Sequence, residues 1–125
     1  MARKRRAPLA LYHVRDAIAD FINIVGQADV AEISADKTRR YAAERCVEII
    51  SEASRRIPAR WKQEHPEVPW KQIAGIGNIM RHDYEEINLK IILGLRGKRL
   101  DDLSAAATAL LRKYDPEGEP FFERR

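Results

Sequence analysis

The stretch ERCVEIISEASRRIP, residues 44–58, decides the fold class. With Ala42 just before it, its apolar residues Cys46, Ile49, Ile50, Ala53 and Ile57 return every three to four positions. That is the period of a helix with one buried face. Arg45, Glu48 and Glu52 mostly fall outside the stripe, as do Arg39, Arg40 and Glu44 upstream. Pro58 stops the pattern, because its ring and its missing N–H cannot continue a helix. Ser34 and Asp36 are candidate N-caps at the other end.

The same periodicity recurs on both sides. Leu11, Val14, Ile18, Phe21, Ile22 and Val25 mark a first helix from about residue 9 to Gly26. Beyond Pro58, the piece ARWKQEH reads as a short helix, and HPEVP as a turn. Pro69 suits the first position of a third long helix, where its missing N–H is not needed. A last pattern, Ile91, Ile92, Leu95, Leu100, Leu103, Ala107, Leu110 and Leu111, runs from about Asn88 to Arg112, with Gly94 and Gly97 as places for a bend. No segment alternates with period two long enough to suggest a strand. The expectation is an all-α bundle of four long helices and one short one. Residues 1–8 form a basic N-terminal arm, 9–113 the helical domain, and 114–125 a loose tail.

A chain of 125 residues with 45% hydrophobic and 34% charged residues is the size and make-up of one globular domain. No apolar run approaches the roughly 20 residues that span a bilayer, and the N-terminus lacks the pattern of a secretory signal. The single cysteine, Cys46, sits on the apolar stripe and reads as core. These features point to a cytoplasmic protein. Lys and Arg number 23 against 19 Asp and Glu, and the excess of four equals Arg3, Lys4, Arg5 and Arg6. The body is therefore formally neutral. The arm is either a solvated terminus or a contact for RNA, DNA or another acidic surface.

The third helix carries GIGNIMRHDY, residues 75–84. On a helical wheel Trp70, Ile73, Gly77, Met80 and Tyr84 share the sector that faces the bundle. Asn78 and His82 are i,i+4 neighbours on the polar side, with Arg81 beside them. Gly75 and Gly77 each cost roughly 1 kcal/mol against Ala in a helix, so another backbone or a ligand should approach closely there. A histidine can move protons near neutral pH, an arginine can hold a phosphate, and an amide can orient the imidazole. That set suits phosphodiester cleavage without a metal, although a solvated polar face would carry the same residues. The chain has no Walker loop, GxSxG, HExxH or CxxC. His13 and His65 lack metal-ligand spacing, and His65 in its turn should be exposed.

The run from ERCVEIISEASRRIP through HPEVPWKQIAGIGNIMRHDYEEINLKIIL to the leucine-rich last helix resembles the HepT-like proteins of the HEPN superfamily. The likeness covers roughly residues 9 to 112, and EIISEA, HPEVPW and the HDY that follows IAG-x-x-N are its most specific pieces. The resemblance implies an up-and-down helical bundle that dimerises through the motif helices and brings two copies of the site into one cleft. It also implies a toxin of a toxin-antitoxin pair, a metal-independent RNA endonuclease with no cofactor. The partner implied is a minimal nucleotidyltransferase antitoxin, which in some members attaches AMP to the motif tyrosine. By position the catalytic histidine falls on His82, the polar residue after the family arginine on Asn78, and the modifiable tyrosine on Tyr84.

The arginine that opens the family motif corresponds to Gly77. Losing such a preorganised donor commonly costs about 100-fold or more in rate. Either Arg81 takes its place, or the chain is a catalytically silent HEPN dimer that binds a nucleotidyltransferase or a nucleotide. On one unbroken helix residue 77 lies about 140° from His82, which does not decide between them. Tyr84 likewise reads as a core or interface residue if the helix is continuous, and as a modification target if its hydroxyl is exposed.

Overall fold

The computed structural model describes residues 2–79 and 85–118, with the side chains of 7–78 and 88–118. Seven helices make up the described chain: α1 (Ala2–Val25), α2 (Val30–Ala35), α3 (Lys37–Arg55), α4 (Ala59–Lys62), α5 (Trp70–Ile79), α6 (Glu85–Leu93) and α7 (Lys98–Tyr114). Among the described residues there is no strand, so the all-α expectation holds. No described helix is long and apolar enough to cross a membrane.

α3 sits at the centre, packed between α1 and α5, and α7 covers the other side of α1. Its buried face is wider than the expected stripe, because two helices lie against it. Ala43, Val47, Ser51 and Ser54 join Cys46, Ile50 and Ala53 inside. α1 buries Leu11, Val14, Ile18, Phe21 and Val25 as the periodicity requires, but Ile22 remains 46% exposed. α7 contributes Leu100, Leu103, Ala107, Leu110 and Leu111.

Three boundaries differ from the sequence reading. α1 begins at Ala2 rather than at about residue 9, and carries Pro8 inside it. A separate short helix, α2, precedes α3; Asp29 and Glu32 form a reciprocal capping box at its start, a pattern the reading overlooked. The expected third helix begins as α5, residues 80–84 lie outside the described set, and the pattern expected from about Asn88 to Arg112 is divided between α6 and α7. Of the two proposed caps for α3, Asp36 is the one that works: its carboxylate accepts from the Arg39 N–H at 3.1 Å.

Long-range side chains close the helix ends. α1 stops at Gly26, whose φ of 48° is a left-handed conformation that glycine adopts without strain. Arg39 Nε donates to the Ile24 carbonyl at 2.7 Å, which satisfies one of the free carbonyls of the last turn. Arg96, in the bend expected at Gly94 and Gly97, donates through Nη1 to the carbonyls of Gly26 and Ala28, both at 2.9 Å. At the opposite end of the bundle, Trp61 of α4 stacks on Tyr114 of α7 with ring centroids 4.1 Å apart.

Candidate functional site

The candidate site is built from the start of α5 upward. Pro69 places Trp70 at the first turn, and the Trp70 indole N–H donates to the carbonyls of Lys62 at 3.1 Å and His65 at 3.0 Å. That bond ties the HPEVP turn to the helix. His65 is not exposed as expected: its side chain is 20% accessible, with Nδ1 3.1 Å from a Glu67 carboxylate oxygen. From this anchored start Ile73 and Ile76 enter the core.

One turn further, α5 is locked to α3 by a small polar network. The Ser51 hydroxyl donates to the Ala74 carbonyl at 2.8 Å and accepts from the Gly77 N–H at 3.2 Å. Arg55 Nη2 donates to the same Ala74 carbonyl at 2.7 Å, and its Nη1 lies 3.2 Å from a Glu52 carboxylate oxygen. A Cβ added at Gly77 would stand 3.0 Å from Ser51 Oγ and 3.7 Å from Arg55 Nη2. A close approach is present at Gly77, but the neighbour is the Ser51 side chain of α3 and not a backbone or a ligand. At Gly75 it is absent: an added Cβ there would meet no atom within 4 Å.

This junction opens into a cleft of about 210 Å³ lined by Arg45, Glu48, Ser51, Glu52, Arg55 and Gly77. The guanidinium of Arg55 occupies the space in front of position 77. Asn78 is exposed, next to last on α5. Arg81, His82 and Tyr84 lie outside the described residues, and so do the side chains of Arg3, Lys4, Arg5 and Arg6, whose backbone belongs to α1. The sequence reading did not single out Ser51 or Arg55. The available signal was the polar pair within SEASRR, four residues apart on the motif-facing helix, but its partner lies 26 residues away for Ser51 and 19 for Arg55. Among the described residues no three His, Cys, Asp or Glu side chains are grouped to hold a metal ion.

The described chain is thus an all-α bundle in which a central helix and a glycine-bearing helix meet at a polar cleft. The chain belongs to the ribonuclease HepT-like family, whose model matches residues 14–110. A protein of Methanocaldococcus jannaschii, whose name gives it provisionally as an RNase, is 38% identical over 81 residues, covering 65% of this chain and 74% of the relative. A similarly named protein of Caldanaerobacter subterraneus subsp. tengcongensis is 35% identical over 69 residues, 55% of this chain and 62% of its own. The "Probable ribonuclease HepT" of Thermococcus cleftensis is 37% identical over 57 residues, 46% and 52% of the two chains. No solved structure matches the chain. Family membership supports an RNase function.

Proposed function

We propose that this chain is the ribonuclease of a toxin-antitoxin pair, acting in the cytoplasm as a homodimer that cuts RNA without a metal. The observation that carries the reading is membership of the ribonuclease HepT-like family across residues 14–110, a span that includes GIGNIMRHDY. In the proposed reaction the ribose 2′-oxygen attacks the adjacent phosphorus and the bond to the 5′-oxygen breaks, leaving a cyclic phosphate and a free 5′-hydroxyl. His82 takes the proton of the 2′-hydroxyl or returns one to the departing oxygen. Arg81 stabilises the charge that builds on the phosphoryl oxygens, and Asn78 orients the imidazole or the substrate. A minimal nucleotidyltransferase is the antitoxin, and Tyr84 is the residue it modifies with AMP.

The test is cleavage of total RNA by the purified chain in EDTA, comparing wild type with His82→Ala and Arg81→Ala. Cleavage by wild type that both alanine variants lose supports the mechanism. Cleavage that stops with EDTA overturns it.

The second reading is a catalytically silent dimer that docks a nucleotidyltransferase or a nucleotide. Gly77 in place of the arginine that opens the family motif favours it, and a side chain added there would have to displace Ser51 Oγ, 3.0 Å from the added Cβ. Gly77→Arg alone is therefore a poor restoring variant. Gly77→Arg combined with Ser51→Ala removes the oxygen at 3.0 Å. Cleavage by that double variant and silence of wild type would support the docking reading, as would growth that continues when the chain is expressed without its partner.

A further inference from the structure

α3 presents an exposed stripe that extends beyond the cleft at Gly77. Tyr41, Arg45, Glu48, Glu52, Arg55 and Arg56 follow one another at spacings that keep them on one side of the helix. Tyr41, 54% exposed, is the most exposed large hydrophobic side chain among the described residues, and Leu9 is also exposed.

Concavities flank the stripe and run into one another. A groove of about 660 Å³ between α1 and α3 is lined by Leu9, Ala10, His13 and Arg56. His13 and Arg56 continue into a second groove of about 360 Å³, where Arg45, Ile49, Glu52 and Ala53 join them. Arg45 and Glu52 in turn line the cleft at Gly77. Through these shared residues the three concavities neighbour one another from the first half of α1, across α3, to Gly77. Positions 3–6, the source of the chain's excess positive charge, lie on the same helix as His13, two to three turns before it.

The lining has the chemistry of a surface for a single nucleic-acid strand. Arg45 and Arg56 offer guanidinium groups to phosphates, while Leu9 and Ile49 offer an apolar floor. Tyr41 adds a ring on which a base can stack, and Arg40 lies over that ring at 4.9 Å from its centroid. A duplex hides its base faces and would leave both floor and ring unused. The two glutamates are held on the arginines: Glu48 lies 3.4 Å from Arg45, and Glu52 lies 3.2 Å from Arg55 and 3.6 Å from Arg56. Exposed pairs of this kind are weak and exchange readily for a phosphate.

We propose that the solvent face of α3 and its flanking grooves form the track along which a single RNA strand reaches the motif segment. Arg45 and Arg56 hold its phosphates, and Tyr41 stacks under a base. This inference rests on the ribonuclease reading, and its test separates binding from cleavage.

The probe is a fluorescent single-stranded 2′-O-methyl RNA, which lacks the nucleophilic hydroxyl and is not cut. Its anisotropy is titrated with the full chain over a range of salt, and cleavage of unmodified RNA is followed in parallel. Replacing Arg45 and Arg56 together by Gln should lower the log–log salt slope by about 1.4, two single-strand phosphates at about 0.7 each. Tyr41→Ala should weaken binding roughly tenfold with the slope unchanged. Glu48→Gln with Glu52→Gln should tighten binding several-fold. If all three sets bind like wild type while RNA is still cut, the track is overturned and the ribonuclease reading survives. If binding responds as expected and nothing is cut, the track stands and the catalytic reading falls. Equal affinity for a duplex of the same sequence would overturn the single-strand assignment. A change of oligomeric mass in the Tyr41 or arginine variants, with probe affinity intact, would instead make this face a contact between copies of the chain.

Discussion

The hydroxyl of Ser51 lies 3.2 Å from the backbone nitrogen of Gly77, and a Cβ added at 77 would come within 3.0 Å of the same oxygen. One side chain thus both bonds α5 and limits what α5 can carry. Ser51 cannot retreat freely, because its hydroxyl is also held on the Ala74 carbonyl at 2.8 Å.

The two glycines of α5 should therefore respond oppositely to alanine. Gly75→Ala gains helix propensity with nothing in its way and should raise stability by up to about 1 kcal/mol. Gly77→Ala gains the same propensity but pushes on Ser51, so it should be neutral or destabilising by about 1 kcal/mol. Adding Ser51→Ala should recover part of any loss, a coupling that urea denaturation of the four variants would reveal. A stabilising Gly77→Ala would refute the close packing.

Arg96 is the side chain that fastens the bend between α6 and α7 to the end of α1. Arg96→Ala strands the carbonyls of Gly26 and Ala28 and should cost roughly 1–3 kcal/mol. Arg96→Lys should recover only part, since an ammonium lacks the planar fork. Thermal denaturation measures both.

Stability should fall on the acid side through Glu64. Hydrogen bonds from Tyr114 and from Lys113 hold its carboxyl below the ordinary value of 4.5. A carboxylate with a depressed folded pKa stabilises the fold above its unfolded pKa, and the contribution disappears as pH falls through the folded one. Denaturation midpoints between pH 7 and pH 3 should therefore drop less steeply below about pH 4.5 for Glu64→Gln than for wild type. Identical slopes would remove Glu64 from the account.

Cys46 should be chemically silent in the folded chain. It is buried on α3, and desolvation, with a smaller contribution from Asp20, raises its thiol pKa above 9.0. A thiol reagent at neutral pH should react at the rate of unfolding and speed up sharply in denaturant. Prompt stoichiometric labelling without denaturant would contradict the packing.

Asn78 offers a test of function decoupled from folding, because its side chain is exposed. Asn78→Ala should leave the denaturation midpoint within about 0.5 kcal/mol of wild type. It should nonetheless slow RNA cleavage at least tenfold, measured in the same EDTA assay. Unchanged cleavage would take Asn78 out of the site.

The sequence by itself determined the all-α class, most of the buried stripe of each long helix, and the family. The three-to-four-residue recurrence of Cys46, Ile50 and Ala53, or of Leu103, Ala107 and Leu110, is a local property of the chain, and burial follows it because a helix has one side to hide. The run GIGNIMRHDY could be singled out as a candidate site because its residues lie close together in the chain. Tertiary structure alone decided what Gly77 faces, that Gly75 faces nothing within contact distance, and that Ile22, though in phase with the stripe of α1, stays exposed. It alone brought Ser51 and Arg55 to α5, because a hydrogen bond between residues 26 or 19 positions apart leaves no periodic trace in either segment. Periodicity records which side of a helix is covered; the partner that covers it is set by how whole helices pack.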